Sequence, residues 1–211
     1  MIWGSFSQPL DLRKFPFDRQ VFKIKILSES AADDVKFVQD QKRSSGITGT
    51  LSVPDWRVTS TNTSGEPLVV IEGDEANASF VLEVHAKRRV QYYVYTMILP
   101  LVIIVLMSFT VFWIDPSNFG TQVAVGTTSM LTVVTYRVAS VQILPRTAYF
   151  TDMDIFIACC TVLVFLAMIM VVMTTVMARR GRADRARWVD RQSRYLFPAA
   201  FVGAVALSFF T

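Results

Sequence analysis

The chain has 211 residues, 52% of them hydrophobic and 18% charged, with a formal net charge of +4. Seven arginines (Arg179, Arg180, Arg182, Arg185, Arg187, Arg191, Arg194) against Asp184 and Asp190 give one short stretch a surplus of +5, more than that of the whole chain. The basic balance is therefore local and excludes nucleic acid as its partner. The two cysteines, Cys159 and Cys160, are adjacent in an apolar run; helical neighbours point about 100° apart, so they neither pair nor chelate and read as small buried hydrophobes.

Residues 1–92 carry 12 Lys or Arg and 12 Asp or Glu and read as a soluble, strand-rich domain. Val21-Phe22-Lys23-Ile24-Lys25-Ile26-Leu27 alternates apolar and polar, the pattern of a half-buried strand. Ile47–Val53, Trp56–Thr61, Leu68–Ile71 and Phe80–His85 are further strands, separated by the turn-rich pieces Ser28–Asp34, Ser44-Ser45-Gly46 and Glu72–Asn77. Short strands at this spacing point to a sandwich. The opening Met-Ile-Trp-Gly-Ser-Phe shows no charged-then-apolar signal peptide.

Residues 93–211 form a second domain with only 9 Lys or Arg and 5 Asp or Glu. Four membrane spans are expected, at about 93–114, 121–141, 155–177 and 196–210, with 179–194 as the linker between the last two. The arginine-rich linker belongs on the cytoplasmic side. That puts 115–120 on the same side, and the strand domain and 144–154 outside. Lys87-Arg88-Arg89 runs against this orientation, but a whole domain translocates largely regardless of its charge.

The second span holds seven Thr or Ser together with Gln122 and Arg137, too polar for a lipid-facing helix. Ala124, Thr128, Leu131, Thr135, Val138 and Gln142 follow one another at steps of three or four and lie on one stripe. Several copies ringed about an axis would make a narrow wet pore, with Leu131 as an apolar ring that gates by dewetting. The same spacing also suits hydroxyls that bond their own helix carbonyls or hold helices together. Arg137 lies beside the stripe. It faces a neighbouring subunit, snorkels outward, or, with a small register change, reaches the lumen.

No metal-ligand spacing, nucleophile motif or phosphate loop is present, and the single His85 stands on a strand beside basic residues. The reading is not an enzyme, with no cofactor and no metal.

Leu12-Arg13-Lys14-Phe15-Pro16-Phe17-Asp18-Arg19-Gln20 resembles the signature loop of the Cys-loop receptor superfamily, the pentameric ligand-gated ion channels. Gln8 and Phe22 stand where animal members have the loop cysteines, which resembles the prokaryotic branch. Ile98-Leu99-Pro100 resembles the proline-bearing first span of the family. Met130–Val134 followed by Ile143-Leu144-Pro145-Arg146 resembles its pore helix and exit loop, and Arg88, twelve residues before Pro100, its pre-membrane arginine.

The resemblance implies a partial extracellular β-sandwich followed by a four-transmembrane-helix bundle, assembled as a pentamer whose second helices line the pore. It implies a homopentamer, or assembly with complete related subunits, in a plasma membrane, with a bacterial inner membrane the expected setting. The other partners are membrane lipid, inorganic ions, and a small-molecule agonist or a proton. Phe15, Pro16 and Phe17 are expected to press on the Leu144–Tyr149 loop, which carries Pro145 and Arg146, and Asp18 to pair with Arg88. Cation-selective relatives carry glutamates at the cytoplasmic mouth. Here Phe119-Gly120-Thr121-Gln122 has no acid, and Val123–Thr128 resembles the pore of glycine and gamma-aminobutyric acid receptors, so anion permeability is expected. The basic residue of anion channels is absent, with Gln122 in its place.

The family's extracellular domain is larger than residues 1–92, so an N-terminally truncated subunit is expected, either pore-forming or non-conducting and associated with complete subunits. Ser28–Asp34 and Thr63–Asn77 contain no aromatic residue, which argues against an aromatic cage for a quaternary amine.

Overall fold

A computed structural model describes residues 8–31, 37, 55–65, 77–115, 118–142, 144 and 147–209. The expected strands Ile47–Val53 and Leu68–Ile71 lie outside those residues, as do Pro145 and Arg146. The chain divides into two compact units, one holding the strands through Arg89, the other Leu12–Pro16 and everything from Val90 onward.

In the first unit, β1 (Arg19–Ala31), β2 (Trp56–Ser64) and β3 (Asn77–Arg88) form an antiparallel sheet with β3 in the centre. Alternation sets the faces of β1: Phe22 and Ile24 are half-buried while Lys23 and Lys25 are exposed. The β1–β3 register places Lys23 opposite Glu83, and the two ion-pair at 2.7 Å; the hydrogen bond and charge of Lys23 hold the Glu83 carboxyl below its ordinary range. In β2 the alternation of half-buried and exposed residues slips at Thr59–Ser60, where the register with β3 also shifts, as an inserted bulge residue requires. Phe22 and Trp56 meet edge to face across the sheet at 5.3 Å.

Gln8 is held against β1 by its side chain. Its Nε2 donates to the Val21 carbonyl at 2.7 Å, and its Oε1 accepts from the Lys23 amide at 2.9 Å. The amide thus grips the backbone on both sides of Phe22.

Among the described residues, the second unit holds the helical segments α1 (Gln91–Trp113), α2 (Phe119–Ser140), α3 (Asp152–Arg179) and α4 (Ala183–Phe209). Pro100 shapes the start of α1. It lacks the N–H that would bond the carbonyl of Thr96 and its ring crowds that carbonyl, and Val94–Ile98 is wound as a wider π turn that accommodates both. A capping box starts α3: Thr151 Oγ1 accepts from the Asp154 amide at 3.2 Å and Asp154 Oδ2 accepts from the Thr151 amide at 3.0 Å. Gly181, at φ 78°, ends it, and the Arg182 amide reaches back to the Met177 carbonyl at 3.1 Å.

The largest departure from the sequence expectation is α4. The stretch 179–194 is a linker only through Arg180–Arg182; from Ala183 it is helical and continuous with the apolar segment, making one helix of 27 residues. Arg and Ala are good helix formers, and Ala186, Asp190, Ser193 and Phe197 recur at helical spacing as its buried face.

Met97, Leu101, Val105 and Phe112 of α1, Val133 of α2, Phe156, Val164 and Val171 of α3, and Phe197 and Phe201 of α4 share one core. Cys160 lies within it and Cys159 is half-buried; both are free thiols. Gly126 lets α2 approach α3: a Cβ there would lie 2.9 Å from the Met168 sulfur. Among the described residues, α1 and α3 are the helices both long and apolar enough to cross a membrane by length and composition.

Candidate functional site

One face of α2 is covered and the other is bare. Gln122, Gly126, Ser129, Val133 and Ser140 are buried. Ala124, Thr128, Leu131, Thr135 and Val138 are exposed on the opposite side, and Gln142 is exposed in the turn that follows. Leu131 is 67% exposed and Val138 64%, as bare as Leu196 and Val202 on α4. A large branched side chain left this bare at the middle of a helix marks a face that an assembly covers or a channel uses.

Hydroxyls on both faces of α2 bond carbonyls of their own helix. Ser129 and Ser140, on the covered side, donate to the carbonyls of Val125 and Tyr136 at 2.9 and 2.8 Å. On the bare stripe, Thr128 donates to the Ala124 carbonyl at 2.8 Å, which leaves its oxygen lone pairs turned outward. Of the two possibilities left open by the spacing, Thr128 shows a hydroxyl bonded to a carbonyl of its own helix. Tyr136 ties α2 to α1, donating to the Met97 carbonyl at 2.6 Å. Arg137 is exposed in the last turn of α2, where a cation complements the helix dipole.

Gln122 does not stand at the mouth of the stripe. It is fully buried, and its Nε2 donates to the Ile114 carbonyl at 2.9 Å, satisfying the chain where α1 ends. The family resemblance set it at the mouth in sequence, whereas its amide finds its partners inward. The exposed residue at the start of α2 on this side is Thr121, whose hydroxyl donates to Asn118 Oδ1 at 3.1 Å.

The signature loop is split between the two units. In the strand unit, the Asp18 carboxylate is buried and takes two bonds from Arg88, Nε to Oδ1 at 2.7 Å and Nη2 to Oδ2 at 3.1 Å. Gln20 Nε2 adds a third at 3.0 Å, and the Arg88 guanidinium lies 4.3 Å from the Trp56 ring centroid. Phe17, in the same unit, is 44% exposed.

In the helical unit, Phe15 and Pro16 are buried, and Phe15 meets Tyr93 edge to face at 4.9 Å. The bonds to the segment before α3 come from Leu12 and Arg13 at the start of the signature loop. The Leu12 amide donates to the Tyr149 hydroxyl at 2.8 Å, and the Arg13 carbonyl accepts from the Asp152 amide at 2.8 Å. The loop contributes main-chain groups to both bonds, and its side-chain pattern does not announce them.

Residues 97–202, half of the chain, match the family described as the neurotransmitter-gated ion-channel transmembrane region, and the chain belongs to that family, within the Cys-loop superfamily of pentameric ligand-gated channels. Among its relatives, the chain is 29% identical over 163 residues to the gamma-aminobutyric acid receptor subunit beta-4 of Gallus gallus, a match covering 76% of this chain and 33% of the relative. A gamma-aminobutyric acid receptor subunit beta of Caenorhabditis elegans is 29% identical, covering 79% of this chain and 30% of its own length. Its counterpart in Lymnaea stagnalis is 28% identical, covering 76% and 32%. The chain spans about a third of the length of these curated relatives. The family is one of ion channels that reside in membranes.

Proposed function

We propose that the chain is a pore-forming subunit of a pentameric ligand-gated channel, with α1 to α4 as its transmembrane bundle and α2 lining the pore. The observation that carries this reading is the bare stripe from Ala124 to Gln142 on a helix whose other face is buried. Five such stripes around an axis enclose a lumen of alternating polar and apolar rings, with Leu131 as the gate. Anion permeability is the selectivity we propose, since Phe119 to Gln142 contains no acid that would repel anions. The strand unit is then part of an extracellular domain that binds a small-molecule agonist or a proton. Phe15, Pro16, Phe17, Asp18 and Arg88, together with Pro145 and Arg146, carry its motion to the membrane. A homopentamer in a plasma membrane is the proposed assembly, and the cysteine-free loop supports a bacterial inner membrane, although the three relatives named are from animals.

The test is electrophysiological. Purified protein reconstituted in planar bilayers should conduct, and Leu131→Ser should ease opening, because a hydroxyl ring at the narrowest apolar point lowers the barrier to wetting. Absence of current from both proteins would sink the reading. A chain that is silent alone but co-purifies with a complete related subunit and lowers its current would instead be a non-conducting partner.

A further inference from the structure

A cavity of about 180 Å³ opens where the end of α1 meets the first half of α4, lined by Trp113, Asp115, Arg187, Asp190, Arg191 and Arg194. A water occupies about 30 Å³ in the liquid, so the space exceeds what one bridging water fills. Asp190 forms its buried side. It is 2% exposed, and neither carboxylate oxygen has a partner in hydrogen-bonding geometry among the described residues. Gln122, Thr174 and the charge of Arg194 lie around it, polar company for an ionised carboxylate.

The arginines of the cavity are engaged to different degrees. Arg187 ion-pairs at 2.9 Å with Asp184, an exposed acid that does not line the cavity. Arg194 donates through Nε to the Phe112 carbonyl at 3.0 Å and lies 5.6 Å from the Trp113 ring centroid. A guanidinium has five N–H donors, so its Nη groups remain for a ligand. Arg191 is exposed. With Arg187 balanced by Asp184, the guanidiniums of Arg191 and Arg194 stand beside the carboxylates of Asp115 and Asp190, a pocket of two signs and little net charge.

We propose that this cavity binds the phosphoethanolamine headgroup of a membrane lipid, its phosphate on Arg191 and Arg194 and its ammonium on Asp190 and Asp115. Guanidinium geometry matches phosphate oxygens, and a primary ammonium brings three N–H donors to carboxylate oxygens. A choline headgroup has no N–H for Asp190, and a glycerol headgroup has no cation for it. The setting favours a lipid as the source of the headgroup. Trp113 is 58% exposed at the end of an apolar helix, the level at which aromatic rings and arginines meet headgroups. Tyr195 and Val202 follow Arg191 on the same side of α4 and are largely bare, a surface for an acyl chain. A headgroup held here joins the end of α1 to α4.

The site requires the helical unit to lie in a membrane, not α2 to line a pore, and current is no part of its test. The full chain in detergent micelles is given equal amounts of phosphatidylethanolamine, phosphatidylcholine or phosphatidylglycerol, and thermal unfolding is followed. Phosphatidylethanolamine should raise the melting temperature by about 5 °C and the other two by less than half of that. Asp190→Asn should remove the preference for ethanolamine over choline. Arg191→Gln, at an exposed position that folding does not depend on, should reduce the shift with every lipid, and Asp184→Asn should keep the preference. Equal shifts with the three lipids overturn the proposal, as does a preference that survives both Asp190→Asn and Arg191→Gln. Soluble phosphoethanolamine at the same concentration should give no comparable shift; if it does, a membrane lipid is not the ligand.

Discussion

The Asp18–Arg88 pair shows how a single contact acquires weight from its setting. Two parallel bonds at 2.7 and 3.1 Å, a third donor from Gln20 and the face of Trp56 surround charges that are almost entirely out of water. Removing one partner leaves the other buried and uncompensated, at about 3–5 kcal/mol. Asp18→Ala and Arg88→Ala should each lower the unfolding free energy of the strand unit by about that amount, and the double substitution by clearly less than their sum. Denaturant unfolding of the three variants checks this. Equal and additive losses would mean that the pair is screened and that its burial counts for little. The pairing was legible in the sequence because both residues belong to recognisable motifs. Asp190 was not, because an acid inside an arginine-rich run reads as solvated charge, and only the fold turns it inward.

At the level of single helices, periodicity was the readable part and approach distance was not. The stripe of α2 was visible as steps of three and four. The cause of its opposite face being so well covered lies in Gly126, where the absent side chain admits Met168 of α3. Gly126→Ala should be tolerated within about 1 kcal/mol, since the flexible methionine can yield and alanine favours the helix. Gly126→Val adds bulk that cannot be absorbed and should cost about 1–3 kcal/mol, read from thermal unfolding in detergent. Similar losses for both would show that the two helices do not meet closely at this point. The start of α4 was misplaced for a related reason. Charged residues interrupt an apolar-span pattern, yet they do not interrupt a helix, and the buried positions Ala186 and Asp190 are too small or too polar to mark a core face in sequence.

Across the whole chain, the composition changes near residue 90, and the contacts divide the chain at Arg89 and Val90. The boundary itself is less simple: Leu12–Pro16 belongs by its contacts to the helical unit, held by Tyr93, Tyr149 and Asp152. No local rule assigns five residues of a strand domain to a bundle that begins nearly eighty residues later. Gln8 has a consequence of its own. Where relatives in this superfamily close the loop with a covalent bridge, this chain uses an amide that grips the main chain beside Phe22, and its two thiols sit elsewhere. The closure is therefore indifferent to reductants. Dithiothreitol should leave the melting temperature and any current unchanged, whereas Gln8→Ala, which deletes two hydrogen bonds, should loosen the strand unit by about 1–2 kcal/mol whatever the redox potential of its surroundings.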